Sequence, residues 1–227
     1  MRTRPIIAID GPSASGKSSV ARRIANDLGL TYLNTGAMYR AVAIAFKDAG
    51  LKPDDGDLEK KIAPILQAME IDFDGEKVSL NGRDVTSDIT RVDIGDLASS
   101  YSTLAPVRAR MREMQRAIGE AGGIVMEGRD IGTVVFPDAE FKFYFEASAE
   151  IRAARRLAQL QASGVNTTND AVLREIAERD RRDSARTLAP LRRADDAVVI
   201  DTSNLTFEEA VSALEQAIQG SHPRKRA

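Results

Sequence analysis

The chain has no cysteine, no tryptophan and a single histidine. The missing thiols exclude disulfides, thiol nucleophiles and cysteine-ligated zinc, and they fit a reducing cytoplasm, the expected location. The lone His222 stands in a polar tail, which argues against a Ser-His-Asp relay or a histidine metal site. No apolar run approaches the ~18 residues that a membrane-spanning helix needs. The first apolar run begins at Pro5, so no secretory signal is expected, and the Asn-x-Thr patterns at Asn166 and Asn204 read as coincidences. A dominant charge is lacking too. With 34 acidic and 32 basic residues the net charge is −2, which speaks against a general nucleic-acid binder.

What is there fits one large α/β domain of 227 residues with a small insertion. Five short apolar runs, Ile6–Asp10, Leu30–Leu33, Ile124–Glu127, Phe141–Phe145 and Val198–Asp201, read as parallel strands separated mostly by helical patterns. Gly29 and Gly50 stand where helices end, Pro106 suits a first helical turn, and Thr206-x-x-Glu209 is a capping box. Between Glu70 and Val85 the pattern alternates, with Asp74-Gly75 and Asn81-Gly82 as turns, and predicts an antiparallel hairpin.

Residues 11–18 read Gly-Pro-Ser-Ala-Ser-Gly-Lys-Ser, a full match to the phosphate-binding pattern G-x-x-x-x-G-K-[ST]. A strand precedes it, and a helix with Val20, Ile24 and Leu28 on its apolar face follows. Gly11 and Gly16 permit a path that turns several N–H groups inward, and the helix N-terminus adds partial positive charge. In this pattern Lys17 reaches the β- and γ-phosphates of a nucleoside triphosphate and Ser18 binds Mg²⁺.

Three more stretches carry polar chemistry. Asn34-Thr-Gly-Ala-Met-Tyr-Arg40 follows the second predicted strand, and strand C-termini face the ligand crevice in such sheets. Thr35 suits a helix N-cap as well as a ligand contact; Met38 and Tyr39 read as packing. Glu127-Gly-Arg-Asp-Ile-Gly-Thr133 follows the third strand; Arg129 and Asp130 serve there either as ligand contacts or as a weak surface pair. Arg152, Arg155 and Arg156 share one helical face, as do Arg179, Asp183 and Arg186. Either face alone reads as solvated, but together they flank a polar link, 163–169, and suit a closing hairpin of the kind phosphoryl transfer uses. Of the 32 basic residues 24 are arginine, whose planar fork suits phosphate, although a compositional bias explains the count equally well.

The loop 11–19, the stretch Thr35–Arg40, the segment Gly128-Arg-Asp-Ile-Gly-Thr-Val-Val-Phe-Pro-Asp138 and the run Arg179…Asp183…Arg186 together resemble the bacterial cytidylate kinases, in order over nearly the whole chain. Two positions depart from the family's usual pattern: Thr35, where Ser is common, and Glu127, where Asp is common. The resemblance implies a P-loop kinase fold in a single domain, 1–227. It has a five-stranded parallel sheet with helices on both faces, a small antiparallel nucleotide-binding insert at 60–95 and a helical lid at 148–187. It implies transfer of the ATP γ-phosphoryl group to CMP or dCMP with Mg²⁺, by a monomer that binds neither nucleic acid nor membrane. Gly11, Pro12, Ser13, Ala14, Ser15, Gly16, Lys17, Ser18 and Ser19 then hold ATP, with Ser18 on the metal. Lys17, Arg152, Arg155, Arg156 and Arg186 stabilise the transferring group. Arg40, Arg129 and Arg186 hold the acceptor phosphate, Arg179 and Asp183 the pentose, and Arg108, Asp130, Thr35 and Ser99 the cytosine. The adenine lies near the lid helix and residues 201–205. Other small-molecule kinases of the same fold, for shikimate, dephospho-coenzyme A, AMP or UMP, are the alternative. A GTP switch is disfavoured, because no N-K-x-D guanine reader is present and the D-x-x-G at Asp72–Gly75 falls in the hairpin.

Overall fold

The computed structural model describes residues 4–220; His222 and the rest of the basic tail lie outside them. In chain order the elements are β1 (Ile6–Asp10), α1 (Lys17–Asp27), β2 (Thr31–Asn34), α2 (Thr35–Asp48), α3 (Leu58–Ala68), β3 (Ile71–Asp74), β4 (Lys77–Leu80), β5 (Arg83–Asp84), α4 (Val92–Tyr101), α5 (Ala105–Gly119), β6 (Ile124–Gly128), β7 (Phe141–Glu146), α6 (Ala149–Ala162), α7 (Asn169–Ser184), β8 (Val198–Asp201) and α8 (Phe207–Gly220). A π-helical turn, Ile131–Val135, follows β6. The chain divides into two compact units, one of residues 1–33 and 119–227, the other of 34–118.

The first unit is built on a five-stranded sheet in the order β2-β6-β1-β7-β8. β1 runs parallel to β6 and β7, and β7 to β8, with Ile6 opposite Ile124, Ile7 opposite Phe141 and Phe143 opposite Val198. Ile7 and Ile9 pack with Val20, Ile24, Phe143, Phe145, Ile200, Val211 and Leu214, so α1 and α8 cover one face. Ile6 and Ala8 point the other way and are fully buried as well, so both faces are covered, as a parallel sheet requires. Each such isoleucine removed from water contributes about 1.5–3 kcal/mol.

The buried face of α1 is Val20, Ala21, Ile24 and Ala25, whereas Leu28, expected on that face, caps the helix and is 44% exposed. The helix stops because Gly29 turns to φ +60° and Leu30 N–H donates to Ala25 O at 2.7 Å. That bond takes Leu30 out of the expected strand, and β2 begins one residue later. The capping box at Thr206 forms as its letters predict: Thr206 N–H donates to Glu209 Oε2 and Glu209 N–H to Thr206 Oγ1.

The second unit packs α2 against α4, where the rings of Phe46 and Tyr101 meet edge to face with centroids 4.9 Å apart. Tyr101 hydroxyl donates to Leu51 O at 2.8 Å, which satisfies its buried polar end. The predicted hairpin is a three-stranded antiparallel sheet, β3-β4-β5. Two-residue turns link its strands: Gly75-Glu76, with positive φ at Gly75, and Asn81-Gly82, with positive φ at both; Asp74, expected in the first turn, ends β3 opposite Lys77.

Candidate active site

The loop between β1 and α1 takes the path its glycines allow. Gly11 has φ +147°, and a Cβ there would lie 2.1 Å from Phe145 O on the neighbouring strand. Gly16, at φ +87°, turns the chain into α1. Inside the loop Lys17 is buried; its Nζ donates to Pro12 O at 2.6 Å and to Ser15 Oγ at 3.3 Å. Burial pulls the Lys17 ammonium down to about 7, with Arg129 pulling the same way against the carboxylates of Glu127 and Asp10.

At the first turn of α1, Ser18 Oγ donates to Glu127 Oε2 at 2.9 Å. The other oxygen, Oε1, accepts from the Tyr32 hydroxyl at 2.5 Å, and the Tyr32 ring lies under the Arg22 guanidinium. Tyr32 thus fixes the long arm of Glu127 so that its carboxylate faces Ser18. A hydroxyl and a carboxylate beside a phosphate loop form the hard-oxygen donor set that suits Mg²⁺.

Beyond β6 the chain turns so that Arg129 Nε meets Asp183 Oδ2 at 3.0 Å. Asp183 Oδ1 accepts from Arg186, and the Asp183 side chain is only 3% exposed. Burial raises the Asp183 carboxyl, but Arg129, Arg186 and Arg179 together outweigh it and hold the group below its ordinary range. Arg186 was expected on the face of α7; the helix ends at Ser184, and Arg186 reaches back to Asp183 from beyond it. Asp130 is buried one residue further along the same turn as Arg129.

The three arginines of α6 have different surroundings. Arg152 is buried; its Nε donates to Ala147 O, its Nη1 to Ser13 O, and its Nη2 pairs with Asp180 Oδ2 at 2.7 Å. Arg152 therefore ties α6 to α7 and to the phosphate loop. Arg155 donates to Thr202 Oγ1 and Thr202 O, and Thr202 Oγ1 in turn donates to Ser15 O. Arg156 is half-buried on the same helix.

In the second unit Thr35 is buried in the first turn of α2. The cap is Asn34, whose Oδ1 accepts from Ala37 N–H at 3.2 Å, so Thr35 is not the N-cap. Ser99 and Arg108 are buried, and Arg40 is half-buried. Arg108 lies over the Tyr39 ring, 5.7 Å from its centroid, and donates to Ser102 O. Tyr39 therefore carries a cation as well as packing.

Asp10, Tyr32 and Asp180 had no role in the sequence reading, and Thr202 entered it only within the stretch 201–205 placed near the adenine. Asp10 did carry a signal, as the one charged position of an otherwise apolar strand, immediately before Gly11. The hydrogen-bond partners of Thr202 and Tyr32 were not legible, since they lie 47 to 187 and 95 positions away.

The chain is 46% identical over 218 residues to the cytidylate kinase of Citrifermentans bemidjiense, covering 94% of this chain and 92% of that one. It is 47% identical over 212 residues to that of Chlorobaculum tepidum, covering 92% and 90%. Among solved structures, an uncharacterized protein from Eubacterium ventriosum shares the fold, with a TM-score of 0.52 at 13% identity over 96% of this chain and all of that one. The cytidylate kinase family profile matches residues 7–220, and the chain belongs to that family.

Proposed function

We propose that the protein transfers the γ-phosphoryl group of ATP to CMP or dCMP, giving ADP and CDP or dCDP. The observation that carries this reading is that the family match spans both the buried Lys17 loop and the Arg129–Asp183–Arg186 cluster. A donor-phosphate loop and an arginine cluster are the two halves that a phosphoryl transfer between nucleotides needs.

The loop 11–19 holds the ATP phosphates through its N–H groups, and Lys17 follows the transferring group. Ser18 and Glu127 would hold Mg²⁺, which would supply charge neutralisation to the transferring group. In the first unit Arg129 and Arg186 take the acceptor phosphate, and Arg179 and Asp183 take the pentose. Asp183 fixes both guanidinium groups before an acceptor arrives, which lowers the cost of ordering them. Asp130 accepts from the cytosine amino group; uracil would set a carbonyl against it, acceptor facing acceptor. In the second unit Thr35, Arg40, Ser99 and Arg108 are acceptor-binding residues by the same family pattern. The segment 148–187 acts as the lid, bringing Arg152, Arg155 and Arg156 to the phosphates and excluding water. The insert at 60–95 belongs to the acceptor side. No strong general base is needed, since such catalysis is mostly positioning and charge stabilisation.

A panel of acceptors assayed for ATP-dependent ADP formation tests the reading. CMP and dCMP are the expected substrates; phosphorylation of shikimate, dephospho-coenzyme A or AMP in place of CMP would overturn it.

A further inference from the structure

Asp10 ends β1, directly before the phosphate loop, yet its carboxylate turns away from that loop. Oδ1 accepts from Ile131 N–H at 2.9 Å and Oδ2 from Gly132 N–H at 2.8 Å. Those are the first two residues of the π-helical turn that follows Arg129 and Asp130. The turn closes on Asp130 itself, whose carbonyl accepts from both Val134 and Val135 N–H. On its other side Gly132 abuts Lys142: a Cβ there would lie 3.2 Å from Lys142 Cδ and 3.5 Å from Asp10 Oδ2. Lys142 is itself held by Asp196 at 3.0 Å. The segment bearing Arg129 and Asp130 is thus clamped between a buried carboxylate and a buried lysine stem.

We propose that Asp10 is a positioning residue for the acceptor nucleotide: by binding the N–H groups of Ile131 and Gly132 it sets where Arg129 and Asp130 stand. This rests on the acceptor roles given above for those two residues. The carboxylate is costly where it is, since burial pushes it up to about 7 against the pull of both N–H groups. An apolar residue at the end of β1 would extend the core at no such cost, but it would leave two buried N–H groups without an acceptor.

Asp10→Asn keeps one acceptor and sets an amide donor against the second N–H. The expected result is a KM for CMP raised about tenfold and a reduced CMP-over-UMP ratio of kcat/KM, with the KM for ATP within about twofold of wild type. Amide exchange should quicken at Ile131 and Gly132 while α1 keeps its protection, a readout that does not depend on which acceptor the enzyme takes. Gly132→Ala presses on the same turn with the carboxylate intact and should shift the same parameters, so it serves if Asp10→Asn fails to fold. If wild type prefers an acceptor other than CMP, the functional reading fails, and the variants are scored by amide exchange and by KM for that acceptor. A raised KM for ATP with the acceptor KM unchanged would assign Asp10 to the phosphate loop and overturn the proposal. So would unchanged exchange at Ile131 and Gly132.

Discussion

Arg129 and Asp183 stand 54 positions apart in sequence and 3.0 Å apart in space, joining the turn after β6 to the last turn of α7. Arg186 completes the cluster on the other carboxylate oxygen. Asp183→Asn leaves two largely buried guanidinium groups without their counter-charge, at a cost of about 3 kcal/mol. For a chain of this size that lowers Tm by about 6–12 °C, readable by calorimetry. The Asp183 carboxyl lies below its ordinary 3.8 in the folded state. Its contribution is therefore complete above that value and lost as pH falls through the folded-state value. The Tm gap between wild type and variant should be constant near neutrality and close in acid; a gap that widens in acid would contradict the assignment.

Gly11 is required twice over, by its φ of +147° and by the 2.1 Å approach of a Cβ to Phe145 O. Gly11→Ala should destabilise by about 2 kcal/mol or more and abolish ATP binding, whereas Gly164→Ala, with open space around it, should keep ATP affinity. Denaturant melts and nucleotide titration check both.

Lys17 is lowered to about 7 by burial, so above that pH ATP must bring a proton with it to meet a charged ammonium. ATP affinity should fall as pH rises above about 7, by at most about tenfold per unit, with proton uptake visible in buffers of different ionisation heat. Lys17→Arg, charged throughout, should show no such slope. Equal slopes in the two proteins would rule out Lys17 as the titrating group.

Asp130→Ala should lose CMP-over-UMP preference while ATP affinity holds. Parallel kcat/KM measurements with the two acceptors check this, and an unchanged ratio would remove Asp130 from base reading.

Ile6–Asp10 was legible because a parallel strand buried on both faces is a continuous apolar run, and the edge strand Val198–Asp201, though largely exposed, keeps an apolar run too; both match to the residue. The start of β2 was displaced because α1 claims the Leu30 N–H for its own end. β5 has only two polar residues, Arg83 and Asp84, and leaves no periodicity to read. The phosphate loop is local in sequence, so its glycine and lysine spacing already encodes its geometry. The arginine partners are not local. That Arg152 pairs with Asp180, or that Arg155 rests on Thr202, depends on how distant segments come together. Asp10 shows the same limit: its charge was visible, but the turn it holds lies 121 positions away.

The most direct test of the central claim follows the phosphorus itself. In ³¹P NMR of the protein with ATP, Mg²⁺ and CMP, the account predicts that CDP and ADP appear in equal amounts and that Lys17→Ala gives neither. ADP accompanied by inorganic phosphate, with CMP unchanged, would contradict it.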